Sequence, residues 1–263
     1  MAIEFSRKPG LVVYLTIGDP DLATSKKIAL AAIDAGADVL ELGVPFSDPV
    51  GDGPVIQRAS ERAVGNGTRL ADVLSLAALL RQERPSIGLV IFSYLNPILR
   101  MGLEAFATAA EKAGVDAVLA IDMIVEESEE YRAVLGRHHL QPIFLAAPTS
   151  PDERLARIAE VSKGFVYAIS RVGITGTQHQ VASDARELVT RLRRYTVLPV
   201  VLGFGISNAD HVAAAGEFAD AVAVGSAIVR LIEQSTPAKA PAAVGAFVAG
   251  LRAPSAIAEK VLS

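Results

Sequence analysis

The chain has 263 residues, a hydrophobic content of 51% and a formal net charge of −4 at pH 7. Because there is no long basic run and no cysteine, nucleic acid is disfavoured as the main partner, and disulfides and thiolate sites are excluded. No apolar stretch approaches the roughly 20 residues of a membrane span, and the N-terminus lacks a signal-peptide core, so we expect a soluble, cytoplasmic protein.

Short apolar runs predicted to be strands alternate with amphipathic runs predicted to be helices. The predicted strands are residues 11–15, 39–43, 88–92, 117–121, 142–146, 165–169, 199–203 and 219–224. The predicted helices are residues 21–35, 55–64, 69–84, 103–113, 126–138, 151–159, 182–193, 207–215 and 226–233. A linker at residues 234–241 leads to a terminal helix at 242–251.

Eight strand–helix units with nearly continuous apolar strands are typical of a sheet covered on both sides. With no break in composition, the pattern predicts a single-domain (β/α)8 barrel, a TIM barrel, over residues 1–263, with a short N-terminal extension. A doubly wound open sheet is the alternative. The barrel requires that functional residues lie at the C-terminal ends of strands.

Residues 39–54 carry three acids where a strand passes into a loop rich in glycine and proline. Glu41 interrupts the apolar strand, and its burial requires either a shifted pKa or a partner. Asp48 and Asp52 follow in the loop, and Gly51 and Gly53 flank Asp52. A buried acid facing a loop acid suits general acid–base chemistry. The alternative is that Glu41 pairs with a core Lys or Arg and the aspartates cap turns.

The loops after the last three strands contain glycines, at residues 170–176, 203–207 and 225–226. Glycine allows close backbone approach, and a helix N-terminus attracts anions, so these loops predict a phosphate site. No Lys or Arg lies in the last two loops, so backbone amides would form it.

Several other polar residues have two open interpretations. Tyr94 and Tyr167 could serve the site or could be core residues with satisfied hydroxyls. Asp19 and Asp122 end strands and could cap loops. A metal is not expected, because none of the histidines has metal-site spacing with a carboxylate at a strand end. These histidines are His138, His139, His179 and His211.

Residues 40–53 closely resemble the signature of the tryptophan synthase alpha chain family. The similarity continues, in order, through residues 14–20, 94–97, 173–176, 203–207 and 225–229. The resemblance implies an allosteric carbon–carbon lyase that cleaves indole-3-glycerol phosphate into indole and glyceraldehyde 3-phosphate. It also implies a beta-chain partner in an alpha2-beta2 tetramer, with pyridoxal phosphate in that partner and no cofactor in this chain.

The resemblance also assigns roles by position. Glu41 and Asp52 match the catalytic acids, and Thr175 matches a mobile-loop residue that approaches the catalytic aspartate. The positions matching the phosphate site are Gly176, Gly205, Gly225 and Ser226. The positions matching the indole pocket are Phe92, Tyr94, Leu119, Leu145, Tyr167 and Val224.

Three features depart from the family pattern. Ile124 replaces a usual proline, Gly51 replaces a usual alanine or larger aliphatic residue, and the segment before Leu11 is short. We therefore expect looser loops and a truncated cover at the bottom of the barrel.

Residues 171–182 form a polar segment longer than the roughly 2–6 residues of a usual connection, which predicts a lid. We expect Thr175 to approach Asp52 only on closure. A stand-alone lyase, another phosphosugar enzyme on the same barrel, and a non-catalytic allosteric cap for a beta chain remain alternatives.

Overall fold

The computed structural model describes residues 3–169, 178–203 and 205–252. Within these ranges, short parallel strands form one nine-stranded sheet. The strands are β1 (Gly10–Thr16), β2 (Val39–Gly43), β3 (Gly88–Ser93), β4 (Ala117–Ala120), β5 (Gln141–Pro142), β6 (Leu145–Ala146), β7 (Val166–Ile169), β8 (Val200–Gly203) and β9 (Ala221–Val224).

The sheet closes on itself into a barrel. Its strand order is β5-β4-β3-β2-β1-β9-β8-β7-β6, so the two edge strands are neighbours in sequence, separated only by Ile143 and Phe144. Ile143 N donates to Val118 O at 3.0 Å on one side, and Tyr167 N donates to Phe144 O at 3.2 Å on the other. The predicted fifth strand is therefore one strand that pairs with a different neighbour at each end. The barrel prediction is confirmed, and the open sheet is excluded.

Helices follow the strands on the outside of the barrel. They are α1 (Leu22–Asp34), α2 (Pro54–Gly65), α3 (Leu70–Glu83), α4 (Leu95–Met101), α5 (Leu103–Lys112), α6 (Glu129–Arg137), α7 (Asp152–Val161), α8 (Gln178–Leu192), α9 (Ala209–Gly216), α10 (Ser226–Glu233) and α11 (Ala240–Leu251). Among the described residues, no helix has the length and apolar character needed to cross a membrane.

Two details of the helices differ from the prediction. Helix α4 was not predicted, because Asn96-Pro97 is typical of a turn. Its first amide, Leu95 N, donates to Asp122 Oδ1 at 2.7 Å, a partner 27 positions away. At α9 the capping residue is Asn208, whose Oδ1 accepts from His211 N at 2.9 Å.

The period-2 alternation of the strands separates two apolar layers. Val12 and Val39, paired in register, belong to the cluster inside the barrel. Leu40 and Leu42 belong to the larger cluster between the barrel and its helices. At the bottom of the barrel, Ile3 and Phe5 join the inner cluster, so the short N-terminal segment still covers that end.

Candidate active site

Glu41 lies on β2 with its side chain inside the barrel. It is paired in register with Tyr14 on one side and Val90 on the other. The residue is 0% exposed, and neither carboxylate oxygen has a hydrogen-bond partner among the described residues. Burial raises the pKa of this carboxyl from its ordinary 4.5 to about 8. Glu41 is therefore mainly protonated at pH 7, and the alternative of a core ion pair is not observed.

Asp52 lies in the loop between β2 and α2, where two contacts position it. Gln57 Nε2 donates to the Asp52 carbonyl oxygen at 2.8 Å, which ties the loop to the first turn of α2. The Tyr94 hydroxyl donates to Asp52 Oδ2 at 3.2 Å and accepts from Gly51 N at 2.9 Å. Burial raises the pKa of the Asp52 carboxyl from 3.8 to about 6, although the Tyr94 hydrogen bond partly lowers it. Asp52 is thus mainly ionised at pH 7.

Tyr14 lies near both acids. Burial raises the pKa of its hydroxyl, and the negative charge of Asp52 raises it further, so the phenol stays neutral. Its ring meets Phe92 edge to face, with ring centres 5.0 Å apart. The sequence did not identify Tyr14 as a site residue, although it lies in a segment of family resemblance.

The two acids share one cavity of about 500 Å³ at the C-terminal ends of the strands. This is the face that the barrel prediction required. The apolar part of the wall consists of Phe92, Ile121, Leu145, Tyr167, Ile169 and Ala223, with Val55 and Ile56 from α2. An apolar or aromatic part of a ligand suits such a wall, because apolar surface leaves water on binding.

Two glycines make room for the aromatic rings of this cavity. A Cβ atom on Gly43 would stand 2.4 Å from the Tyr14 hydroxyl oxygen, and one on Gly203 would stand 2.2 Å from Cε1 of Tyr167. Both distances are far below van der Waals contact, so any larger residue would displace the ring.

Two glycine-containing loops also contribute to the lining of the cavity. Gly205, with φ of +75°, and Ser207 come from the loop after β8. Gly225 and Ser226 come from the start of α10, which has no side-chain cap. The amides of the first turn of a helix lack intrahelical partners and carry partial positive charge, so this part of the lining suits an anion.

Most of the residues predicted for the site meet in this cavity. The lining contains Glu41, Asp52, Phe92, Leu145, Tyr167, Gly205, Gly225 and Ser226. Tyr94 does not line the cavity, but its hydroxyl donates a hydrogen bond to Asp52. Thr175 and Gly176, together with the predicted lid contact, lie outside the described residues.

Two of the predicted pocket residues do not line the cavity. Val224 belongs to the outer apolar layer, because successive residues of a strand point to opposite faces; Ala223 lines the cavity instead. Leu119 is packed inside the barrel, and Ile121, two residues further on, reaches the wall.

The other acids singled out in the sequence either form structural contacts or are exposed. Asp19 is 3% exposed and accepts two hydrogen bonds from Arg62, both at 2.8 Å, instead of capping a loop. Asp48 is exposed, and Asp122 caps α4. No group of three or more metal-binding side chains occurs in the described parts of the chain.

Comparisons with known proteins agree in sequence and in structure. The sequence model of the family described as Tryptophan synthase alpha chain matches residues 2–251. The tryptophan synthase alpha chain of Laribacter hongkongensis is 46% identical over 251 residues, 95% of each chain. Tryptophan synthase subunit alpha from Legionella pneumophila superposes with a TM-score of 0.86 at 34% identity, over 94% of this chain and 92% of that one. A chain of the tryptophan synthase complex from Pyrococcus furiosus gives 0.85 at 34% identity, over 94% and 98%.

Proposed function

The chain belongs to the tryptophan synthase alpha chain family, whose alpha subunit cleaves indole-3-glycerol phosphate in tryptophan biosynthesis, and we propose that Glu41 and Asp52 carry out this cleavage as catalytic residues. The reaction is a retro-aldol that yields indole and glyceraldehyde 3-phosphate, so the enzyme is a carbon–carbon lyase. The observation that carries the proposal is the fully buried Glu41 carboxyl, which has no described hydrogen-bond partner and faces the same cavity as Asp52.

Glu41 supplies the proton that makes indole a leaving group. Because the pKa of its carboxyl is about 8, Glu41 carries a proton at pH 7 and can transfer it to C3 of the indole ring. Protonation at C3 places positive charge on the ring nitrogen. The bond between C3 and the glyceryl chain can then break, with its electron pair returning to the ring.

Asp52 stabilises that positive charge. With a pKa of about 6 its carboxyl is mainly ionised at pH 7, and Tyr94 fixes one oxygen. A carboxylate that accepts a hydrogen bond from the ring N–H is already in place to stabilise the cationic intermediate. As the bond breaks, the ionised Glu41 accepts the proton of the adjacent glyceryl hydroxyl, which leaves an aldehyde and restores the acid.

The two ends of the cavity orient the substrate. The indole lies against Phe92, Leu145 and Tyr167, and the phosphate meets the backbone amides near Gly205 and at the start of α10. No step of this mechanism requires a cofactor in this chain; pyridoxal phosphate is assigned to the beta partner.

A beta chain is the proposed partner, in an alpha2-beta2 tetramer. In this tetramer the beta chain receives the indole that is released in this cavity. The similar chain from Pyrococcus furiosus belongs to a tryptophan synthase complex, which supports this assignment. The absence of cysteine fits the cytoplasmic location proposed for the complex.

The test is indole release from indole-3-glycerol phosphate, by the isolated chain and with a beta chain added. We expect a bell-shaped pH dependence of kcat/KM, with limbs near the pKa values of about 6 and about 8. Glu41→Gln and Asp52→Asn should each lower turnover by about 10²- to 10⁴-fold while the circular dichroism spectrum is unchanged. Indole release at the wild-type rate by either folded variant would refute the assignment.

A further inference from the structure

Arg230 is a cavity residue that neither the sequence pattern nor the mechanism above uses. It lies on α10, four residues after Ser226, and therefore on the same face of the helix one turn later. Side chains of a helix tilt toward its N-terminus, so Arg230 extends toward the turn that carries Ser226. Its side chain lines the same cavity as Glu41 and Asp52.

The charge of Arg230 is available to a ligand. It is the only Lys or Arg among the described residues that line the cavity. It is exposed, and its guanidinium forms no hydrogen bond or ion pair with another described residue. Glu233, three residues further along α10, is already bonded to Arg58 and Arg62 on α2. Arg230 is therefore not neutralised by its acidic neighbour.

The negative charges of the cavity and of the substrate favour a cation at this position. Two carboxyl groups line the cavity, and Asp52 must be ionised to stabilise the indole cation. The substrate adds a phosphate ester that is mainly dianionic at pH 7. Backbone amides at the start of a helix supply only partial positive charge, roughly half an elementary charge. A full positive charge beside them would offset the repulsion between the phosphate and Asp52.

We propose that Arg230 binds the phosphate group of the substrate together with the first turn of α10, and so fixes which end of the substrate enters beside Glu41. This inference rests on the proposed function. It adds a side-chain cation to a phosphate site otherwise made of backbone groups, and it assigns Arg230 to binding and orientation of the substrate. Proton transfer remains with Glu41.

The experiment compares wild type with Arg230→Gln, Arg230→Lys and a control, Arg157→Gln. Arg157 is also exposed and lies on α7, away from the cavity, so its removal changes the net charge equally. Steady-state indole release gives kcat and KM at low and high salt. Calorimetry with glycerol 3-phosphate, and separately with indole, measures binding of each end of the substrate.

For Arg230→Gln we expect KM and the dissociation constant of glycerol 3-phosphate to rise about five- to tenfold, with little change in kcat or in indole affinity. The difference from wild type should shrink at high salt, because a partly exposed charge is screened. Arg230→Lys should restore most of the affinity, and Arg157→Gln should match wild type.

Unchanged glycerol 3-phosphate binding and unchanged KM in folded Arg230→Gln would overturn the inference while leaving the proposed function intact. An equal loss in Arg157→Gln would also overturn it, because the effect would then be one of net charge. If wild type released no indole at all, the proposed function would fail, and calorimetry with glycerol 3-phosphate would still decide whether Arg230 binds phosphate. If Arg230→Gln failed to fold, the same calorimetric comparison would be made with Arg230→Met, and wild-type affinity in that variant would refute the role.

Discussion

Replacement of Glu41 by Gln should make the protein more stable at neutral pH while it removes activity. The carboxyl is 0% exposed and has no hydrogen-bond partner among the described residues, so its environment disfavours the charged form. Gln has nearly the same shape and is neutral at every pH. The variant therefore keeps the packing and the buried polar group of protonated Glu41, and removes only the coupling between folding and ionisation.

The magnitude follows from the two pKa values. In the unfolded chain the carboxyl has its ordinary pKa of 4.5, and in the folded chain its pKa is about 8. Below pH 4.5 both states hold the proton, so stability is unaffected. Between pH 4.5 and 8 the unfolded chain releases a proton that the folded chain retains, and stability falls by about 1.4 kcal/mol per pH unit. At pH 7 the loss amounts to about 3 kcal/mol, as an upper value, which Glu41→Gln should recover.

The assay is urea unfolding of wild type and Glu41→Gln at pH 5 and pH 7. The gain in the free energy of unfolding should be less than about 1 kcal/mol at pH 5 and rise toward about 3 kcal/mol at pH 7. Glu130→Gln, at an exposed position on α6, is the control and should show no such trend. If Glu41→Gln gave the same small change at both pH values, Glu41 would not have a raised pKa, and its role as the proton donor would lose its basis.

Three further outcomes follow from individual contacts. Tyr94→Phe removes the hydrogen bond that lowers the pKa of Asp52, so the acid limb of kcat/KM for indole release should move above its position near pH 6; an unmoved limb would contradict this contact. Gly203→Ala would place a methyl group 2.2 Å from a tyrosine ring of the cavity, and we expect KM for indole-3-glycerol phosphate to rise by about tenfold or more; a wild-type KM would show that the ring can move freely. Arg62→Leu leaves the carboxylate of Asp19, 3% exposed, without its two hydrogen bonds, and urea unfolding should show a loss of about 2–3 kcal/mol; a loss below about 0.5 kcal/mol would mean that water replaces the guanidinium.

The sequence by itself predicted the barrel and placed the two acids at one face of it. Strands that are apolar on both faces must be covered on both sides. Side chains alternate between the two faces of each strand, which leaves few ways to arrange eight such strands. Glu41 was visible because a carboxylate inside an apolar strand is costly, and the strand-end rule placed it and Asp52 at the same face. The proposed phosphate site could be predicted because it depends on glycines and a helix N-terminus, which are local features of the sequence.

Only the tertiary structure decided which side chains complete the site. Sequence position along a strand did not separate Val224, in the outer layer, from Ala223, which lines the cavity, because the face depends on the register in the closed barrel. The start of α4 is capped by Asp122, and the pKa of Asp52 is lowered by a hydrogen bond from Tyr94; both are contacts between distant parts of the chain.

Nothing in the sequence singled out Arg230, and only the folded barrel places it in the lining of the cavity. Local propensity and hydrophobic pattern act over a few residues, so they fix the elements and the faces to be buried. The partners of a polar side chain are set by distances across the fold, and these exist only once the barrel has closed.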